Sequence, residues 1–283
     1  MNILVTGGNG FVGTALIKQL FKEGHNITSI DDLSIGTVDN EIDGVKYIHD
    51  DVNNIFNYDI PNIDYVFHLA GLSRIQPSFE EPMVTFVANS VTSQVICEWS
   101  RLTNVKRLIY SGSSSKWHNP YLSPYATYKY LGEEVCKMYK KAYGMDTQIV
   151  RFYNVYGPNE ITDGDWAAVI GKWRRQVRDG EKITIVGDGE QRRDFTHIDD
   201  IVDALIKVMN TKETVDDAWE LGTGENYSIN EVYQLFKQKF NVDSVYVPDQ
   251  DGNYRVTLRE KNEALEILNW KPTDKLKDYI NNL

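Results

Sequence analysis

Tyr125 and Lys129 stand four residues apart in a stretch of helical pattern, so both side chains project from one face. A tyrosine phenol has an unperturbed pKa of about 10, too high for a base at neutral pH. A nearby ammonium stabilises the phenolate and lowers that value, and a serine hydroxyl then bridges the phenol to a substrate hydroxyl. Ser113, in Ser111-Gly112-Ser113-Ser114-Ser115 after a strand, is the candidate bridge, with Ser114 the runner-up. The spacing recurs at Tyr233 and Lys237. That second pair lies in a distal amphipathic helix and reads as helix surface, whereas Tyr125 follows the serine-rich strand end and Ser123-Pro124.

A second chemistry sits at the start of the chain. Thr6-Gly7-Gly8-Asn9-Gly10-Phe11-Val12-Gly13 follows a strand and opens a helix. Glycines there permit a tight turn, close backbone approach to a pyrophosphate, and close helix–strand packing. The pyrophosphate meets free N–H groups at the positive end of the helix dipole. Asp31 ends the second strand, about twenty residues on, where an acid binds ribose hydroxyls. With Asp32 beside it and no arginine adjacent, a 2′-phosphate is repelled, so the expected cofactor is NAD rather than NADP. Asp51, after the third strand, is placed to accept from the adenine amino group.

The elements that must position these groups alternate. Strands are expected at Asn2–Thr6, Ile27–Ile30, Tyr65–Leu69, Arg107–Ser111 and Thr147–Phe152. Helices are expected from about Gly10 to Glu23, around Val84–Leu102, and from Pro124 to Ala142. This βαβ rhythm predicts an α/β fold, a Rossmann doubly wound parallel sheet. After about residue 155 the rhythm breaks at Gly157-Pro158, Asp163-Gly164 and Gly187-Asp188-Gly189. The expectation is a NAD-binding domain over residues 1–155 and a smaller, mainly substrate-binding part over 156–283 that crosses back into the sheet. Ser228-Ile229-Asn230-Glu231 reads as a capping box opening a helix to Phe240.

Composition narrows the partners. The 283 residues are 41% hydrophobic and 25% charged, enough for a sizeable core. A net charge of -11 argues against nucleic acid or an anionic membrane as the main partner, while leaving room for phosphates held by backbone N–H groups and a few arginines. Cys97 and Cys136 lie far apart in sequence and offer neither a disulfide framework nor metal spacing, so both read as small buried side chains and no metal is expected. The N-terminal residues show no basic n-region, and no apolar run reaches the roughly 18 residues of a membrane span. A cytoplasmic location is the expectation. His68 reads as a core histidine, His197 as a loop hydrogen-bonder, and Trp99, Trp219 and Trp270 as packing residues.

Taken together, these segments resemble the extended short-chain dehydrogenases of the NAD-dependent epimerase/dehydratase group, and within it the UDP-glucose and UDP-N-acetylglucosamine 4-epimerases. The resemblance rests on the glycine motif, Asp31-Asp32-Leu33-Ser34-Ile35-Gly36, His68-Leu69-Ala70-Gly71, Ser123-Pro124-Tyr125 to Lys129, Arg151-Phe152-Tyr153-Asn154-Val155-Tyr156-Gly157-Pro158, and Gly187-Asp188-Gly189-Glu190-Gln191-Arg192-Arg193-Asp194-Phe195. It implies that Gly7, Gly10, Phe11, Val12, Gly13, Asp31, Asp32, Asp51, Val52, Leu69, Ala70 and Asn89 line the NAD site with Tyr125 and Lys129. It further implies that Asn154 and Arg193 hold a nucleotide diphosphate, that Ser113 and Val169 meet the sugar, and that the partner is a UDP-hexose. Asp165-Trp166-Ala167-Ala168-Val169-Ile170 is similar to a segment of acetamido-sugar epimerases, which favours UDP-N-acetylglucosamine over UDP-glucose. A homodimer through the helices around 84–102 and 124–142 is implied as well.

Three departures from the family pattern bear on the sugar. Lys116-Trp117-His118 replaces the usual Val-Tyr-Gly, and the loop from His118 to Leu122 is short, so an altered wall over the sugar is expected. Gln250-Asp251-Gly252-Asn253 lacks a diphosphate arginine, for which Arg255 is the nearest replacement. Dehydratases of the family place Thr-Asp-Glu where this chain has Ser113-Ser114-Ser115, which argues against dehydration. The remaining alternatives are a 4-keto nucleotide-sugar reductase, disfavoured by Asp31, and a non-catalytic NAD-binding regulator, disfavoured by the intact Tyr125, Lys129 and Ser113.

Overall fold

The computed structural model describes residues 1–283. The strands, in chain order, are β1 (Asn2–Thr6), β2 (Asn26–Asp31), β3 (Lys46–His49), β4 (Tyr65–His68), β5 (Arg107–Ser113) and β6 (Thr147–Phe152). They are followed by β7 (Val155–Tyr156), β8 (Ile183–Val186), β9 (Arg192–Asp194), β10 (Thr196–His197), β11 (Trp219–Leu221), β12 (Asn226–Ser228) and β13 (Ser244–Val247). Seven form one sheet in the order β11-β6-β5-β4-β1-β2-β3. Every neighbouring pair is parallel. The chain proceeds outward from β1 through β2 to β3, then returns to β4 on the other side of β1. The crevice at the carboxyl ends of β1 and β4 is therefore the topological switch point, where this class of sheet binds ligands.

Alternation along each strand divides the core. Ile3, Val5, Phe67, Ile109 and Val150 pack on one face with the helices Phe11–Lys22 and Ile198–Asn210. Leu4, Val66, Leu108, Tyr110 and Ile149 face the other side, against the helices Thr92–Leu102 and Pro124–Tyr143. Because both faces are covered, the central strands read as unbroken apolar runs. A third cluster around Trp173, Ile185, Phe195, Val232, Phe236 and Ile280 forms the core of the smaller part.

Several expectations sharpen here. The capping box at Ser228 and Glu231 is present, and it opens the helix Ile229–Phe240. Tyr233, read above as helix surface, is only 6% exposed and packs edge-on to Trp173. Its ring is core because the smaller part has a cluster of its own. The expected helix over 84–102 is interrupted by a wide π-type turn at Val87–Val91, where the Thr92 hydroxyl donates to Val87 O at 2.9 Å. The helix Ile198–Asn210 and β11 return to the first half of the fold. His197 caps that helix, its Nδ1 accepting from Asp199 N at 3.2 Å. Trp99, Trp219 and Trp270 are buried, and Cys97 and Cys136, distant in sequence, meet with their Sγ atoms 3.8 Å apart as free thiols.

β11 is tied to the sheet by charge as well as by backbone. Arg151 on β6 lies beside Glu220 on β11 and is fully buried. Its guanidinium donates to Glu133 (2.7 Å), Asp217 (2.8 Å) and Glu220 (2.9 Å). Removing one member of a buried charge cluster leaves its partners desolvated and unpaired, at about 3–5 kcal/mol. Arg151→Met should lower the urea-unfolding free energy by roughly that amount, well beyond an ordinary exposed arginine substitution; equal effects would show that the cluster does not hold the sheet edge.

Candidate active site

Local sterics build the cofactor end. Gly7 has φ of +73°, and a Cβ there would lie 2.7 Å from Ala70 N. A Cβ on Gly13 would fall 2.1 Å from Gly7 O. The helix Phe11–Lys22 is thus drawn against the loop as no other residue permits. Its N-cap, Gly10, supplies no side chain, so the first-turn N–H groups remain open toward the crevice. Asp31 is nearly buried, its two oxygens accepting from Asn9 N and Leu33 N, each at 2.9 Å. Burial pushes its carboxyl above the usual range, and the two backbone N–H groups oppose this. Asp51 accepts from Asn53 N at 2.8 Å. An anion-seeking helix end and a ribose-seeking acid at this spacing fit NAD.

The catalytic end is set by one helix and one strand. Ser123 caps the helix Pro124–Tyr143, accepting from Ala126 N at 3.1 Å, and Pro124 occupies its first turn. Tyr125 is thereby placed in the first turn, with Lys129 and Glu133 one and two turns on along the same face. The Tyr125 phenol donates to Ser113 Oγ at 3.2 Å, which also accepts from Ser115 N–H at 3.2 Å, and the Ser115 hydroxyl lies 2.9 Å away. Those two donors fill the acceptor lone pairs of the Ser113 hydroxyl. Lys129 is buried with Nζ 4.8 Å above the Tyr110 ring, and burial brings its ammonium down to about 8 against the pull of Glu133. The phenol of Tyr125 is raised by burial rather than lowered as expected, while the bond to Ser113 and the Arg74 guanidinium pull it back.

One cavity of ≈ 1590 Å³ joins the two ends. It is lined by Gly7, Gly10, Phe11, Val12, Gly13, Asp31, Asp32, Asp51, Val52, Leu69, Ala70, Ser113, Tyr125, Lys129, Asn154, Val169 and Arg193, the residues the resemblance implies, with one exception. Asn89 lies behind the wall, its amide donating to Leu72 O (3.0 Å) and Thr85 O (3.1 Å), so it braces the loop instead of lining the site. Asn154 holds a positive φ of +27°, and its amide donates to Asp194 O at 3.1 Å. Arg193 donates to Arg192 O and Asn253 Oδ1, and no carboxylate neutralises it; burial lowers it to about 10.

The departures resolve differently from expectation. Lys116 and Trp117 do not line the cavity: Lys116 bonds Asp217 at 2.6 Å and the Trp117 indole donates to Glu220 at 2.9 Å. They serve the buried charge cluster. Tyr254 lines the cavity instead, and His118 stacks on it with ring centres 4.1 Å apart. Arg255 is exposed and paired with Asp188 at 2.8 Å, outside the main cavity, so it does not replace the missing arginine. His68 is fully buried between Thr6 (2.7 Å) and Ser93 (3.5 Å), and burial drives it down to about 3, leaving it neutral. Residues not foreseen include Ser115, Arg74 and Glu160. Only Glu133 carried a readable signal, its place in the i, i+4, i+8 stripe with Tyr125 and Lys129.

Residues 3–229 match the model of the NAD dependent epimerase/dehydratase family. The chain belongs to that family. It is an NAD-dependent epimerase of the extended short-chain dehydrogenase type, and its cofactor is NAD. A putative UDP-glucose 4-epimerase of Methanocaldococcus jannaschii is 28% identical over 98% of this chain and 95% of its own. Among solved structures, the UDP-glucose 4-epimerase of Thermotoga maritima with UDP-glucose is 30% identical, with a TM-score of 0.91 over 99% of this chain and 96% of that one. The UDP-N-acetylglucosamine 4-epimerase of Methanobrevibacter ruminantium, in complex with UDP-N-acetylmuramic acid, is 28% identical with a TM-score of 0.88 over 99% and 96%.

Glu160, on the cavity wall, accepts from Tyr279 at 3.3 Å and Arg174 at 3.4 Å, while its Oε2 is buried without a partner. Burial raises its carboxyl to about 7. Between pH 4.5 and 7 the folded chain therefore holds a proton that the unfolded chain releases, so this group costs stability as pH rises through that window. Glu160→Gln should gain on the wild type by on the order of 2 kcal/mol between pH 5 and pH 8 in urea unfolding. A constant difference between the two proteins would place its carboxyl in the ordinary range.

Proposed function

We propose that this enzyme is a UDP-hexose 4-epimerase working through a 4-keto intermediate. The observation that carries the reading is the joined site: Tyr125, Ser113 and Lys129 at one end of the Rossmann crevice, and an unpaired Arg193 across the same cavity. When bound, NAD supplies the acceptance and return of a hydride at the sugar C4. Tyr125 takes the proton of the 4-hydroxyl and gives it back, and Ser113 hydrogen-bonds the same oxygen. Lys129, one helical turn on from Tyr125, supplies in this reading the cation that favours the phenolate. Arg193 holds the diphosphate in a bidentate grip, with Asn154 beside it, so that the ketose can turn about that link and present its other face.

A stoichiometric reductase fits less well, because Asp31 repels the 2′-phosphate of the usual reducing cofactor. The segment Asp165–Ile170 lines the cavity and supports an acetamido sugar. Residues 1–155, with the strand and helix that return from 198–221, form the cofactor part in this reading, and the rest of 156–283 the substrate part. Two reduced, buried thiols accord with a cytoplasmic location. Exposed Leu102 on the helix Thr92–Leu102, with Leu131 and Met138 on the helix Pro124–Tyr143, supports a homodimer through these helices. Light scattering should give twice the 32.5 kDa chain mass, and Leu131→Glu should halve it; a monomeric wild type would sink that assembly.

Proton NMR of the protein with UDP-glucose, UDP-N-acetylglucosamine and catalytic NAD tests the main reading. The galacto-configured product should appear without net consumption of cofactor. Tyr125→Phe should slow its formation by roughly 10²–10⁴ while NAD still binds. Unchanged turnover in that variant, or product only with stoichiometric reduced cofactor, would overturn the reading.

A further inference from the structure

Asn9 stands inside the glycine turn that opens the helix Phe11–Lys22, yet its side chain serves a different segment. It is only 1% exposed. Its amide donates to Thr37 O at 3.2 Å and to Glu41 Oε1 at 3.1 Å, and its backbone carbonyl accepts from the Asn40 amide at 2.7 Å. Glu41 Oε1 also meets His49 Nε2, 2.5 Å away at the end of β3. Gly36 completes the contact. A Cβ on it would lie 2.8 Å from Asn9 C and Cβ, so a side chain there would hold the segment off the turn.

The segment fastened in this way, residues 32–41, leaves the sheet after β2 and comes back to the glycine turn. Asp31 holds its start, accepting Leu33 N at 2.9 Å with Leu33 at a φ of +59°. Ser34, Ile35 and Gly36 of this strap line the cavity, together with Gly7, Gly10 and Asp31 of the cofactor end. Asn9, Thr37, Asn40, Glu41 and His49 do not line it. The inner residues of the strap therefore face the cavity while its fastenings lie outside. That is the arrangement of a clasp.

Net epimerisation returns to C4 the hydride that C4 gave up, so the protein must keep one cofactor through both half-reactions. Building on the epimerase reading, we infer that residues 32–41 form a clasp that retains NAD, with Asn9, Asn40 and Glu41 as its fastening. Asp31 meets the ribose in this reading, and the clasp sets how long the cofactor stays. Every fastening is made within the chain, so the strap closes in the same way before and after the cofactor enters. Loosening it should speed uptake and release together, and change the affinity less than either rate.

Label exchange on the holoenzyme tests this. Protein loaded with radiolabelled NAD is chased with excess unlabelled NAD, and the retained label is followed by rapid gel filtration. Glu41→Ala removes the contacts to Asn9 and His49 and should release label about tenfold faster than the wild type. Uptake should quicken by a similar factor, leaving Kd within about threefold. Asn40→Ala removes the separate bond to the Asn9 carbonyl and carries the same expectation, including where Glu41→Ala fails to fold. Unchanged release overturns the inference. So does a Kd that rises about tenfold with uptake unchanged, which would make these residues a static wall of the cofactor site. Proton NMR of the same samples with UDP-glucose and UDP-N-acetylglucosamine separates the two readings. Faster exchange in the variants, with no epimerised product from any of the proteins, upholds the clasp and sinks the epimerase. Product formation with unchanged exchange does the reverse.

Discussion

One guanidinium, buried among three carboxylates, holds this active site together. Arg151 spans β6 to β11 through Glu220, reaches Asp217 in the preceding loop, and grips Glu133 on the catalytic helix. Glu133 in turn accepts the Ser113 N–H at 3.3 Å, and its charge works against the desolvation of Lys129. Asp217, held well below the usual carboxylate range by the cations around it, also takes Lys116 and Lys137. Buried charges persist only when each is paired and hydrogen-bonded, so the cluster fixes the sheet edge, the helix and the serine strand in one arrangement. The replaced segment at Lys116-Trp117 belongs to this support and not to the sugar wall.

Electrostatics of the cavity follow a second rule. The chain is acidic, yet its main cavity holds the Arg193 guanidinium without a carboxylate partner. Leaving a charge half-desolvated costs free energy, and a ligand that restores the missing partner returns it. At the cofactor end, by contrast, Asp31 and Asp32 offer only negative charge, and open backbone N–H groups do the work of cations.

Local physics made much of this legible in the amino-acid sequence. Glycines at 7, 10 and 13, an acid at 31, and Tyr125 with Lys129 on one helical face are short-range patterns whose chemistry depends on spacing along the chain. They determined the parallel α/β architecture and the NAD cofactor, and they marked Tyr125 and Lys129 as the pair to look for. Short apolar runs did the same for β1, β2, β4, β5 and β6. Tertiary structure decided what depends on residues far apart. The three-residue strand Trp219–Leu221 is too short to carry a periodicity, and it joins the sheet because β6 offers an open edge and Arg151 a charge to match Glu220. Asn89 is held by Leu72 O, seventeen residues earlier, a contact that leaves no trace in composition. The approach of Cys97 to Cys136, and the burial of Arg151 among three carboxylates, exist only once distant segments meet, because Coulomb and packing energies depend on distances in space and not on separation along the chain.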